Sequence, residues 1–199
     1  MFKNEPLHFN IGGADVFVAE FDEGVEVKSV QPPIRNEMIA RTADPHLKRQ
    51  RYCVWRLLDY ALRQTVGKGV DELSFEIDGN GKWSADCGVR FSLSHSGNVV
   101  AVAVGDLPVG VDVERLDEKR FNARLARRIL TEGELALYNN VPPDKRPQAL
   151  VKTWTKKEAV FKRDGGKAFT PNAIDTLLNK AHCEIVTVGD DEYVVAVSI

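Results

Sequence analysis

Apolar and polar residues alternate from Ala14 to Phe21, a period of two that predicts a strand. The Pro32-Pro33 break then precedes a short helical stretch from Ile34 to Arg41. Pro45 suits the first turn of a longer helix, in which Tyr52, Trp55, Leu58 and Leu62 recur at helical spacing until Gly67 and Gly69 end it. Leu73 to Ile77, Phe91 to Ser94 and Val99 to Val104 read as strands, with turn chemistry between them at Asp78-Gly-Asn-Gly81 and Ser96-Gly-Asn98. The order then recurs. Val109 to Val113 is a strand, Phe121 to Leu130 a helix, and Thr131 caps another. Pro147 begins a long helix that Gly165-Gly166 stops, and Cys183 to Val188 and Tyr193 to Ile199 close the chain as strands around Gly189-Asp190-Asp191.

Val99-Val-Ala-Val-Ala-Val104 resembles Val194-Val-Ala-Val-Ser198, and each follows a helix built around a tryptophan. Short valine runs recur by chance, so the order of elements carries more weight than the words. The expectation is an α+β fold of two similar α/β halves, each an antiparallel sheet packed with a long helix. The junction falls near Gly105 to Val109, giving an N-terminal half over 1–107 and a C-terminal half over 108–199. A cleft between halves is a normal place for a ligand.

A chain of 199 residues, 43% hydrophobic and 28% charged, can bury a proper core. The net charge of -2 argues against general nucleic-acid binding, so an anionic ligand needs a local basic cluster. Cys53, Cys87 and Cys183 are odd in number and contain no Cys-x-x-Cys pair, which suggests neither a disulfide framework nor a zinc site and fits a reducing cytoplasm. No apolar stretch approaches the roughly 20 residues of a membrane span, and Met1 to Asn10 lacks the apolar region of a signal peptide.

Val109-Gly-Val-Asp-Val-Glu114 places Asp112 and Glu114 two apart on a strand, hence on one face. Paired acids on a strand this apolar are costly unless a cation joins them, and a hard cation with oxygen ligands is the usual solution. Trp154, Glu158 and Lys162 lie four residues apart and share a helical face. Alone, each pattern also fits a solvated strand edge and a surface ion pair. Lys48, Arg49, Arg51 and Arg56 cluster on the Pro45 helix, and Gly79-Asn-Gly-Lys82 offers backbone N–H groups beside an ammonium; both suit phosphates, and both also fit a solvated helix face and a hairpin turn. The turn is not a P-loop, and Asp78 to Asp86 is not an EF-hand, since Lys82 and Trp83 stand where that loop needs an acid and a glycine. Ser94-His95-Ser96 lacks the Gly-x-Ser-x-Gly elbow of a serine hydrolase.

Gly-Val-Asp-Val-Glu followed about forty residues later by Trp-Thr-x-Lys-Glu-Ala-x-x-x-Lys resembles the paired signature of the 4'-phosphopantetheinyl transferases, specifically the larger type that activates peptide synthetases such as surfactin synthetase. The resemblance implies a pseudo-twofold relation between the halves with the active site in the cleft. It implies a magnesium ion held by Asp112, Glu114 and Glu158, with coenzyme A as co-substrate and a serine of an acyl or peptidyl carrier protein as acceptor. Glu158 and Lys162 are the implied catalytic groups, Glu158 taking the serine proton directly or through a metal-bound water and Lys162 stabilising charge. Ser94 and His95 match the family's Ser-His-Ser element at the coenzyme A phosphates. Lys82 matches a Gly-Lys-Pro segment near the adenosine, with Trp83 in place of the proline. The basic helix matches more loosely, with Arg49 chosen for the phosphates over Lys48 and Arg51. Lys162 also belongs to the phosphate contacts, and Lys157 is part of the motif with a role open to being structural.

Arg124, Arg127 and Arg128 share one helical face and form a candidate docking surface for acidic carrier proteins, or equally a solvated basic face. Two fused halves can complete one cleft, so a cytoplasmic monomer is expected. The rivals are a non-catalytic module that binds coenzyme A or a carrier protein, and a magnesium-dependent phosphohydrolase.

Overall fold

Residues 16 to 19 of the first alternating segment show how the core is layered: Phe17 and Ala19 enter one apolar cluster, Val16 and Val18 another. In the computed structural model, which describes all residues 1–199, this segment is the strand β2 (Ala14–Glu20), following β1 (Leu7–Ile11). Helices α1 (Pro33–Ala40) and α2 (Pro45–Thr65) come next, then β3 (Phe75–Ile77), β4 (Trp83–Ala85), β5 (Arg90–Ser96) and β6 (Val99–Gly105). The remainder is β7 (Gly110–Arg115), α3 (Ala123–Ile129), α4 (Glu132–Asn140), α5 (Arg146–Asp164), β8 (His182–Val188) and β9 (Asp191–Ser198).

The strands form a four-stranded antiparallel sheet in the order β1-β2-β6-β5, a three-stranded antiparallel sheet in the order β7-β9-β8, and the small β3-β4 pair. The α2 residues Trp55, Leu58 and Leu62 pack with Phe17, Val100, Val102 and Val104 on one face of the larger sheet. Its other face, through Val16, Val18, Ala101 and Ala103, packs against Val111, Val113, Val195 and Val197 of the smaller sheet. The far side of that sheet meets α5 through Val194, Leu150 and Val151. Residues 99 to 104 are apolar throughout because both faces of β6 are buried.

Local chemistry sets the element ends. Asp44 caps α2 by accepting from His46 N and Leu47 N. Thr131 and Glu134 form a reciprocal capping box on α4. Gly165, at φ 71°, ends α5 in the left-handed conformation that glycine adopts without strain. The helix expected over Phe121 to Leu130 is shorter: Asn122 caps it by accepting from Arg124 N and Leu125 N, which leaves Phe121 outside, buried in the core. Strands β1 and β4 were not anticipated. No helix is long and apolar enough to cross a membrane.

Candidate active site

Strand β7 turns Val111 and Val113 into the core and presents Asp112 and Glu114 on its other face, both buried. Helix α5 lies across that face because Gly110 has no side chain: a Cβ there would stand 1.9 Å from the Ala159 carbonyl oxygen and 2.4 Å from Arg163 N. The helical stripe Trp154, Glu158, Lys162 therefore meets the strand. Trp154 Nε1 donates to Glu114 Oε1 at 3.0 Å, and Lys162 Nζ donates to Asp112 Oδ1 at 2.7 Å. Glu158 lies 3.9 Å from the same ammonium. The paired acids and the helical stripe, placed apart in sequence, are thus one constellation.

Strand β5 closes the third side, and its residues also alternate. Phe91 and Leu93 pack on the α2 side, while Ser92, Ser94 and Ser96 face β7. Ser94 Oγ donates to Asp112 Oδ1 at 2.7 Å and accepts from Lys162 Nζ at 2.9 Å. Ser96 Oγ donates to Glu114 Oε2 at 3.1 Å.

Electrostatics mark the place. Burial, then the negative charges of Asp112 and Glu114, push the Glu158 carboxyl up to about 7 against the pull of Lys162 and Arg120. Burial and Asp112 likewise raise Glu114. Asp112 Oδ2 is buried without a hydrogen-bond partner. Even so, no three His, Cys, Asp or Glu side chains converge tightly enough to form a ready-made metal cage. The expected ligands Asp112, Glu114 and Glu158 are neighbours rather than an assembled set, because other groups hold two of them. Lys162 and Ser94 share Asp112 Oδ1, and Arg120 takes both oxygens of Glu114 at 2.8 and 2.9 Å. The donor chemistry nonetheless suits a hard divalent cation: oxygen ligands, surplus negative charge and a free buried carboxylate oxygen.

Beyond the carboxylates lies a cationic region. Burial pushes His95 down to about 4, with the charges of Lys162, Arg51 and Arg35 adding to it, so the imidazole is neutral. Arg35, on α1, is buried with no carboxylate partner; its Nη2 donates to the Arg51 carbonyl at 2.7 Å and its guanidinium lies 4.8 Å over the Trp55 ring. Burial and Arg51 hold it down at about 10, and its Nε is unpaired. A buried guanidinium lacking a counter-ion beside a second one is a site for an anion. Arg51 donates to Thr42 Oγ1 at 2.8 Å. Arg49 Nε is likewise buried without a hydrogen-bond partner. Arg51 and Arg35 are among the charges that bear on His95. Arg35 escaped the sequence reading because its significance is a missing partner, which only packing reveals.

The Gly79-to-Lys82 turn also differs from the reading of free backbone donors. Asp78 Oδ1 accepts from Asn80 N and Lys82 N, and Gly81 N donates to the Asp78 carbonyl. Lys82 Nζ donates to the Lys162 and Arg163 carbonyls at 3.0 and 2.6 Å, capping the C-terminal end of α5. With Trp83, Phe91, Leu93, Phe161 and Lys162 it lines an open cavity of about 190 Å³. Arg120 was missed as well. Its sequence neighbourhood, Glu118-Lys-Arg120, looks like solvated loop, and Glu114 lies six residues back on another element.

The match to a family model described as the 4'-phosphopantetheinyl transferase superfamily covers residues 108–197, which include Asp112, Glu114, Glu158 and Lys162. The chain is similar to the 4'-phosphopantetheinyl transferase AcpT of Escherichia coli (strain K12), with 29% identity over 143 residues, 69% of this chain and 71% of that protein. It is 30% identical over 123 residues to AcpT of Salmonella typhi, covering 59% of this chain and 64% of that one. With the 4'-phosphopantetheinyl transferase psf-1 of Bacillus pumilus it shares 30% identity over 111 residues, 55% of this chain and 47% of the relative. Its similarity is to the 4'-phosphopantetheinyl transferase superfamily, through a C-terminal match of less than half the chain and relatives at 29–30% identity. These relatives are all named 4'-phosphopantetheinyl transferases, which supports that activity for this chain.

Proposed function

We propose that this enzyme transfers the 4'-phosphopantetheine group of coenzyme A to a serine of an apo acyl or peptidyl carrier protein, with magnesium, releasing adenosine 3',5'-bisphosphate. The observation that carries the reading is the meeting of Lys162, Glu158, Asp112 and Ser94 at one seam, with the unpaired cations Arg35 and Arg51 close to His95. Carboxylates for a cation and guanidinium groups for phosphate suit a ligand bearing both a pyrophosphate and a further phosphate.

Asp112, Glu114 and Glu158 would hold the magnesium ion. When bound, it neutralises charge on the pyrophosphate oxygens, which phosphoryl transfer requires more than covalent help. Arg51 and Arg35 bind the remaining phosphate, and neutral His95 serves it as a hydrogen-bond donor rather than a charge. The acceptor serine Oγ forms a bond to the β-phosphorus, the bond from that phosphorus to the bridging oxygen breaks, and the leaving bisphosphate takes the electron pair. Lys162 stabilises the oxygen that gains this charge. Glu158, at the same seam as Lys162 and Asp112, takes the serine proton directly or through a water. A role for Lys82 at the adenosine requires it to leave the α5 carbonyls.

The reading includes two halves, 1–107 and 108–199, related by a pseudo-twofold axis with the cleft between them, acting as a cytoplasmic monomer. Its support is that each half carries an antiparallel sheet and one long helix, α2 or α5. The carrier docks on α3, where Arg124, Arg127 and Arg128 are exposed.

Incubation with coenzyme A, magnesium and an apo carrier protein, followed by intact mass, tests the reading. A gain the size of phosphopantetheine on the carrier is expected. Cleavage of coenzyme A with the carrier unmodified would make the protein a phosphohydrolase, and no change in either would make it a binding module.

A further inference from the structure

Strands β5 and β7 lie side by side at the seam between the two sheets and belong to separate hydrogen-bonded ladders. Three serines join them. Val111 N donates to Ser92 Oγ at 3.0 Å, Val113 N to Ser94 Oγ at 3.3 Å, and Arg115 N to Ser96 Oγ at 3.3 Å. Each rung advances two residues along both strands, so the strands run parallel in one fixed register. Backbone N–H groups at a buried strand edge need acceptors, and here hydroxyl side chains take the place of a neighbouring strand's carbonyls.

The hydroxyls have a second use. A serine oxygen donates once and accepts twice, and two of the three direct the donated bond at a carboxylate: Ser94 to Asp112 Oδ1 and Ser96 to Glu114 Oε2. Ser94 is then saturated, since it also accepts from Lys162 Nζ. Ser92 makes the same seam bond, but the residue preceding its partner Val111 is Gly110, which has no side chain to aim. The ladder thus contains its own control: one rung that only joins the strands and two that also orient acids.

We propose that Ser94 and Ser96 are positioning residues for the cation-binding carboxylates. They fix the rotamers of Asp112 and Glu114 from the N-terminal half, and Ser94, with Lys162, occupies Asp112 Oδ1 and leaves Oδ2 as the free ligand oxygen. This rests on the transfer reading above, and it assigns the Ser94 hydroxyl to the seam rather than to coenzyme A. The register of the two sheets and the geometry of the acids are then set by one device, so the site assembles only when the seam closes. Outer-shell partners of this kind tune affinity through the ligands they hold.

The test compares wild type, Ser92→Ala, Ser94→Ala, Ser96→Ala and Ser94→Thr. The readouts are Mn2+ binding by electron paramagnetic resonance with coenzyme A present, the melting temperature, and carrier modification by intact mass. Ser94→Ala and Ser96→Ala should weaken Mn2+ binding by about 10-fold, as loss of outer-shell partners does. Ser92→Ala should lower the melting temperature with unchanged Mn2+ affinity, and Ser94→Thr, which keeps the hydroxyl, should recover most of the binding. Wild-type affinity in both alanine variants, or an equal loss in Ser92→Ala, would overturn the proposal. If Ser94→Ala does not fold, the comparison of Ser96→Ala with Ser92→Ala decides it alone. A wild-type protein that neither binds Mn2+ nor modifies a carrier sinks the transfer reading and the positioning role together. One that does both while its serine variants match it sinks the positioning role alone.

Discussion

The Lys157 ammonium lies 2.6 Å from the Glu134 carboxylate in the interior, fully buried itself. Its other donors go to the Pro171 and Ile174 carbonyls, so every N–H is used. Glu134 is equally occupied, accepting from Thr131 N and from the backbone and hydroxyl of Thr176. The pair ties α4 and the 171–176 loop to α5 one residue before Glu158, which makes Lys157 structural. Removing one partner of a buried pair leaves an uncompensated charge, so Lys157→Ala should lose about 3–5 kcal/mol in urea unfolding. Replacing Lys157 by Met together with Glu134 by Gln should lose much less. Equal losses in the two variants would contradict this account.

The same pair predicts a pH dependence of stability. Burial pushes the Glu134 carboxyl up, but Lys157 and the N–H groups of Thr131 and Thr176 outweigh it and hold the group below its ordinary value. A carboxyl depressed in the folded state contributes stability at pH values above its unfolded value, roughly 4.3, and loses it as pH falls through the folded value. The advantage of wild type over Glu134→Gln should be constant from neutral pH to about 5 and shrink below about 4. An advantage that grows on acidification would refute the sign.

Gly110 is where a single methyl group separates strand from helix. Its Cβ would meet backbone atoms of Ala159 and Arg163, which cannot rotate away, so Gly110→Ala must displace α5 from β7. Overpacking typically costs about 1–3 kcal/mol. Activity should fall further than stability, because the displacement separates Lys162 from Asp112. Carrier modification at the wild-type rate by a folded Gly110→Ala protein would show that the close approach is not needed.

The parts of this site legible in the sequence are those whose partners lie on the same element. Asp112 with Glu114 follows from strand period, and Trp154, Glu158 and Lys162 from helical spacing. Arg35 and Arg120 were not legible, because the first matters for having no partner and the second for a fork closed on another element. The Gly79-to-Lys82 turn looked like a set of free donors until Asp78 proved to accept them. β1 was readable in Leu7-His-Phe-Asn-Ile11, whose apolar residues alternate, whereas the three residues of β4 are too few to show a period. The bonds from the motif serines of β5 to β7 were not legible, because sequence spacing does not show the two strands to be adjacent.

The segment from Arg120 through α3 separates inward from outward arginines, and so offers a test of partner recognition apart from chemistry. Arg120 turns in to Glu114, whereas Arg124, Arg127 and Arg128 of α3 make no ion pair and stand exposed. Exposed charges steer an acidic partner and are screened by salt. Arg124→Glu with Arg128→Glu should raise KM for the carrier several-fold, with KM for coenzyme A unchanged and the dependence on ionic strength reduced.

The opposite signature belongs to the cations that bear on His95. Losing a charge-assisted hydrogen bond of about 1.5–3 kcal/mol corresponds to roughly 10- to 100-fold in affinity. Arg51→Ala and Arg35→Ala should therefore raise KM for coenzyme A by that factor and leave the carrier KM unmoved. Arg49→Ala should have the smaller effect, since Arg51 and Arg35 are among the charges that bear on His95. Steady-state kinetics with each substrate varied in turn separates the two surfaces. A larger coenzyme A defect in Arg49→Ala than in Arg51→Ala would move the phosphate site to the other face of α2.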